Sequence, residues 1–196
     1  PGVVFTALVP NVRGAERAID AGTGELNLVM SATETHNLAN LRMTREQSFA
    51  ALAEVASIAA DAGVPVNISL SCAFGCPMEG DVADVVVLRW CERFVELGAS
   101  GITLCDTTGM AYPGQVAAPA SAVRQRRPDT QLTMHFHDTR GMGLANCYAA
   151  WQAGITRFDA CLGGIGGCPH APGASGDVST RDPALMAEGM GLSPGL

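Results

Sequence analysis

Six short apolar runs, separated by longer stretches of helical period, constrain the fold of this chain more than any other feature. The runs are Val3 to Val9, Leu26 to Ser31, Val66 to Cys72, Gly101 to Cys105, Leu132 to His137 and Arg157 to Leu162. Each has the length of a buried strand. Thr44 to Ala62 is the clearest helical stretch. Thr44 and Gln47 have capping-box spacing, Ala51, Val55, Ile58 and Ala59 continue an apolar face, and Gly63 stops it. Asp81 to Leu97, closed by Gly98, and Pro113 to Arg127, closed by Pro128, repeat the design. About six strand-plus-helix units in succession imply an α/β fold with a parallel sheet.

Two architectures satisfy that pattern, a doubly wound open sheet and a (β/α)8 TIM barrel. Ser31, Ser71, Asp106 and His137 fall at the carboxyl ends of different runs, where barrel enzymes collect their catalytic groups, and this favours the barrel. A complete barrel needs eight strands and typically about 250 residues. With 196 residues the expectation is an incomplete barrel of about six β/α units, short at its amino end, forming a single domain over residues 1–196.

The composition, 47% hydrophobic and 16% charged, is that of a globular domain. A net charge of −7 with no run of Lys or Arg argues against nucleic acid and anionic membrane as partners. No stretch of about 18 apolar residues and no signal-peptide pattern is present, so the expectation is a soluble cytoplasmic protein. Seven cysteines, at positions 72, 76, 91, 105, 147, 161 and 168, form an odd and scattered set that reads as reduced thiols.

The segment from Leu132 to Asp138 carries the strongest chemical signal. Residues two apart on a strand share a face, so His135 and His137 point together while Leu132, Met134 and Phe136 pack the other way. Two imidazoles on one face supply half of a divalent-metal site, or else form a hydrogen-bonded structural pair. The glycine-dense segment from Gly163 to Asp177 presents Cys168 on a loop able to close over a substrate and exchange a proton with it. It lacks the ending of a phosphate-binding P-loop. Asp177 is either an oxygen ligand or the cap of the helix that follows. Asp106, alternating with Ile102 and Leu104, is either a base at the rim or the cap of the next turn. His36 faces the site or lies in a surface loop. Cys72 and Cys76 lack the Cys-x-x-Cys spacing of a metal or redox pair and read as packing or loop residues.

Taken together, HFHDTRGMGLAN (135–146) and GGIGGCPHAPGASGD (163–177) closely resemble the two signature regions of the 3-hydroxy-3-methylglutaryl-CoA lyase family, divalent-metal (β/α)8 enzymes. The resemblance runs from ALVPNVRG through SCAFGCPMEG and LCDTTG to the carboxyl end. It implies His135 and His137 as metal ligands, Cys168 as the catalytic loop cysteine and Asp106 as an acid/base or site-organising carboxylate. Asp177 falls where the family usually has a metal-associated Asn, and Arg181 where it usually has an acidic residue. The implied cofactor is Mg2+ or Mn2+. The implied partner is an acyl-CoA substrate, and open sheet edges leave room for a homo-oligomer. The implied reaction is retro-Claisen cleavage of 3-hydroxy-3-methylglutaryl-CoA to acetyl-CoA and acetoacetate. Alternatives are a lyase for another 3-hydroxyacyl-CoA, a condensing synthase that does not depend on Cys168, and a non-catalytic remnant. Family members begin with a strand bearing an Arg-Asp pair and a second strand bearing a Glu, and this chain opens at what resembles the third.

Overall fold

The computed structural model describes residues 2–167 and 175–195. Among them, strands and helices alternate: β1 (Thr6–Leu8), α1 (Val12–Asp20), β2 (Glu25–Ser31), α2 (Glu34–Leu41), α3 (Arg45–Asp61), β3 (Val66–Ser71), α4 (Asp84–Glu96), β4 (Gly101–Asp106), α5 (Pro113–Arg126), β5 (Gln131–Phe136), α6 (Gly143–Gln152), β6 (Arg157–Asp159) and α7 (Arg181–Gly189). All strand pairs are parallel and the order in the sheet is the order in the sequence. A doubly wound sheet must reverse its strand order at a switch point, and none exists among the described strands. Successive right-handed crossovers in one direction keep the helices on one side of the sheet. The result is a six-stranded section of a TIM-type barrel, as the sequence leads one to expect.

Period-2 alternation separates the two faces of this sheet. Leu26, Leu28, Met30, Ile68, Leu70, Ile102, Leu104, Leu132, Met134 and Phe136 are buried beneath the helices and form the core with Val55, Val87, Phe94 and Val123. Each such side chain contributes about 1.5–3 kcal/mol of burial. The opposite, concave face is polar. Asn67 Nδ2 donates to Asn27 Oδ1 and Thr103 Oγ1, both at 2.9 Å, and Ser69 Oγ donates to Asn27 Oδ1 at 3.0 Å. A cavity of about 780 Å³ opens on that side, lined in part by Asn27, Asn67, Thr103, Thr133, Arg157 and Asp159.

The helical signals translate closely. Thr44 accepts from the Gln47 N–H while Gln47 accepts from the Thr44 N–H, completing the capping box of α3. The strands at the two edges are shorter than their apolar runs. β1 spans only Thr6–Leu8, because Val3, Val4 and Phe5 are exposed on a strand with one neighbour. β6 ends at Asp159, because the chain turns through a short 3-10 segment, Leu162–Gly164, in which Gly163 takes φ 67°. No described helix is long and apolar enough to cross a membrane.

Candidate functional site

Parallel pairing in register builds the site at the carboxyl end of the sheet. Cys105 of β4, His135 of β5 and Asp159 of β6 are successive partners across three strands. Their side chains therefore form one row on the concave face. His137 lies one residue beyond β5. Residues 176–178 run antiparallel to it: Asp138 N–H donates to Gly176 O, Val178 N–H donates to Phe136 O, and His137 and Asp177 face each other as a bridge. This pairing carries Asp177 to the histidines. Thr180 occupies the N-cap position of α7, so Asp177 is not that helix's cap.

The three side chains converge. His137 Nε2 lies 2.9 Å and His135 Nε2 3.5 Å from the same oxygen, Asp177 Oδ1. The imidazole rings meet edge-on with centroids 5.1 Å apart. One potential ligand atom from each of the three residues falls within 4.8 Å of the others. His137 and Asp177 are buried, and His135 is largely so. Two imidazole nitrogens and a carboxylate oxygen turned toward one point are a donor set that fits a divalent cation. Two residues that sequence reasoning passed over stand behind them. Asp159 Oδ2 is 3.2 Å from His135 Nδ1, and the Cys161 thiol donates to Asp177 Oδ2 at 2.6 Å. Alternation along β6 puts Asp159 on the concave face, whereas no local pattern marks Cys161.

The charges are mutually dependent. Burial raises the Asp177 carboxyl, but the His137 ring, the Cys161 thiol and the positive charge of His135 outweigh it and hold the group below its usual range. For His135, burial opposes the charged form, yet Asp159, Asp177 and Asp106 prevail and the ring sits above its ordinary value.

Asp106 ends β4 with its side chain in line with Ile102 and Leu104, and it is 1% exposed. Its Oδ1 accepts from the Met110 N–H at 2.8 Å, so it does organise the following turn. Its Oδ2 is buried without a hydrogen-bond partner among the described residues. Burial raises its pKa, partly offset by the Ala111 and Met110 N–H groups and by the two histidines. The turn-capping role read for Asp106 is met by its Oδ1.

His36 is fully buried on α2, with Nδ1 3.1 Å from Ser31 Oγ, which rules out a surface loop. Cys72 and Cys76 are buried, and the six described cysteines are free thiols. Arg181 opens α7 and is exposed. Cys168 lies outside the described residues.

The whole described site lies within a region that matches a known family. The HMGL-like family profile covers residues 3–196. The chain is 45% identical over 191 residues to the hydroxymethylglutaryl-CoA lyase YngG of Bacillus subtilis, covering 97% of this chain and 64% of that protein. It is 44% identical over 192 residues to the (R)-citramalyl-CoA lyase of Chloroflexus aurantiacus, covering 98% and 61%. The solved structure of an HMG-CoA lyase from Acinetobacter baumannii, in complex with coenzyme A and 3-methylmalate, superposes with a TM-score of 0.91 at 48% identity, covering 97% of this chain and 62% of that one. The chain therefore spans about three fifths of the length of these relatives. With the family profile spanning its strands, its paired histidines and its glycine-rich segment, the chain belongs to the HMGL-like family.

Proposed function

We propose that this chain carries the metal-binding part of a carbon-carbon lyase that cleaves 3-hydroxy-3-methylglutaryl-CoA to acetyl-CoA and acetoacetate. The observation that carries the reading is the convergence of His135 Nε2 and His137 Nε2 on Asp177 Oδ1, at the strand ends where barrel enzymes act. These three residues would hold a divalent cation, Mg2+ or Mn2+, which when bound supplies Lewis-acid polarisation of a hydroxyl or carboxylate oxygen.

The chain's own groups account for the proton. Cleavage between C2 and C3 turns the 3-hydroxyl carbon into the ketone of acetoacetate, and the bond's electron pair leaves on acetyl-CoA as its enolate. The hydroxyl proton must leave and a proton must reach the enolate carbon, so nothing is gained or lost overall. Removal of the hydroxyl proton is assigned to Asp106 on the resemblance of its LCDTTG segment, and the carboxyl is near enough to both histidines to feel their charge. Its Oδ2 is buried, has no hydrogen-bond partner among the described residues, and belongs to a carboxyl whose pKa is raised toward the range of a working base. Delivery of a proton to the enolate carbon is assigned to Cys168 on the resemblance of its loop.

A second reading is favoured by two relatives. One is named a citramalyl-CoA lyase, and the A. baumannii lyase holds 3-methylmalate, so a five-carbon hydroxy-diacid thioester is a competing substrate of the same chemistry.

Acetoacetate release from 3-hydroxy-3-methylglutaryl-CoA should require Mg2+ or Mn2+, stop with chelator and be lost in His137→Ala. Cys168→Ser should lower kcat far more than Mn2+ affinity. Turnover that persists in chelator or in His137→Ala would sink the proposal. Higher kcat/KM with citramalyl-CoA, read as pyruvate release, would select the second substrate.

A further inference from the structure

We propose that Asp159 and Cys161, at and just beyond the carboxyl end of β6, are the positioning residues of this site, each fixing one of its ligands from behind. The inference rests on the reading of His135, His137 and Asp177 as a metal site and assigns the layer that orients it. Asp159 Oδ2 contacts His135 Nδ1 at 3.2 Å, while Nε2 of the same ring turns to Asp177. A histidine coordinates through the nitrogen that carries no proton. The contact is one of charge and proximity, since Nδ1 has no well-aligned hydrogen bond among the described residues, and a carboxylate at that distance favours the proton on Nδ1 and leaves the Nε2 lone pair free.

Cys161 acts on the other ligand. Its thiol donates to Asp177 Oδ2, which leaves Oδ1 turned toward both Nε2 atoms. Without that bond the carboxylate is free to rotate about its last torsion, and the shared oxygen loses its defined place. The backbone holds the thiol where it is needed. Cys161 N–H donates to Val178 O at 3.2 Å and Cys161 O accepts from Thr180 N–H at 2.9 Å, so the segment carrying Asp177 is tied to the segment that orients it. One three-residue stretch, Asp159 to Cys161, thereby backs two ligands that come from different parts of the chain. Cys161 is also the partly exposed thiol among otherwise buried described cysteines, set where burial does not explain it.

The test is calorimetric titration of the chain with MnCl2, comparing wild type with Asp159→Ala, Asp159→Asn, Cys161→Ala and Cys161→Ser, with thermal unfolding of each metal-free protein alongside. Removing a partner behind a ligand should weaken Mn2+ about 10- to 100-fold in the two alanine variants. Cys161→Ser keeps a donor at the same place and should recover most of the loss. Asp159→Asn keeps the side chain's volume but not its charge and should remain weak, which preserves the test if an alanine variant fails to fold. Folded variants that bind Mn2+ as tightly as wild type would overturn the positioning roles. Serine as weak as alanine at 161 would overturn the hydrogen-bond role of Cys161. A folded wild-type chain that takes up no Mn2+ would overturn the metal-site reading itself, and this inference with it.

Discussion

Asp106 and His135 stand on neighbouring strands, yet their side chains leave the sheet on opposite faces, because their partners across the β4–β5 pairing are Phe136 and Cys105. His135 has two carboxylates beside its ring, whereas Asp106, at the end of β4, is buried with one oxygen bound and one without a partner among the described residues. That asymmetry has a pH signature. A carboxyl whose folded pKa lies above its unfolded value of 3.8 costs nothing below that value, where both states are protonated. As pH rises through the folded pKa, the protein must ionise a buried group, and stability is lost. Asp106→Asn removes this dependence. The unfolding midpoint of Asp106→Asn minus that of wild type should therefore increase from pH 4 to pH 7, as read by thermal denaturation across that range. A flat or falling difference would show that burial does not raise the Asp106 carboxyl above its unfolded value.

At the scale of elements, the start of α6 packs against the returning segment so closely that only glycine fits. A Cβ on Gly143 would collide with Val178 Cγ2 and come within 2.9 Å of Asp138 Oδ1. In an open helix, alanine for glycine gains up to about 1 kcal/mol. Here the overlap is with a neighbour whose backbone is tied to Phe136, and overpacking of that kind costs about 1–3 kcal/mol. The clash should win. Gly143→Ala should lower the denaturant midpoint, and because Val178 follows Asp177 it should also weaken Mn2+ binding. An unchanged or raised midpoint would show that the segment yields freely. The same elements show what local sequence encodes well. The capping box of α3 and the buried face of β5 are legible from residues a few positions apart. The ends of β1 and β6 are not, because a strand stops where it loses a partner, and partners are distant in sequence.

Over the whole molecule, burial explains the cysteines: Cys91 and Cys147 sit in the apolar layer beneath the helices, Cys105 in the row with His135, and Cys72 just past the end of β3. Cys72, Cys91 and Cys147 are buried, and burial pushes each thiol up to about 12; Cys105 is pushed higher still. Thiolates are the reactive form, so these residues should stay unlabelled by iodoacetamide at pH 8 in the native chain and react fully in denaturant, as peptide mass mapping would show. Native labelling at Cys91 or Cys147 would mean that the helical layer opens. The sequence by itself determined the α/β alternation, the helix caps and the pairing of His135 with His137, because each depends on spacing within one element. It could offer Asp177 only as ligand or cap, gave Asp159 no role and read Cys161 only as a reduced thiol. Those placements come from the register of β5 with β6 and from the return of a chain segment some forty positions beyond His135. They depend on which strand lies beside which, and that is settled when the helices bury one face of the sheet and turn the other toward the site.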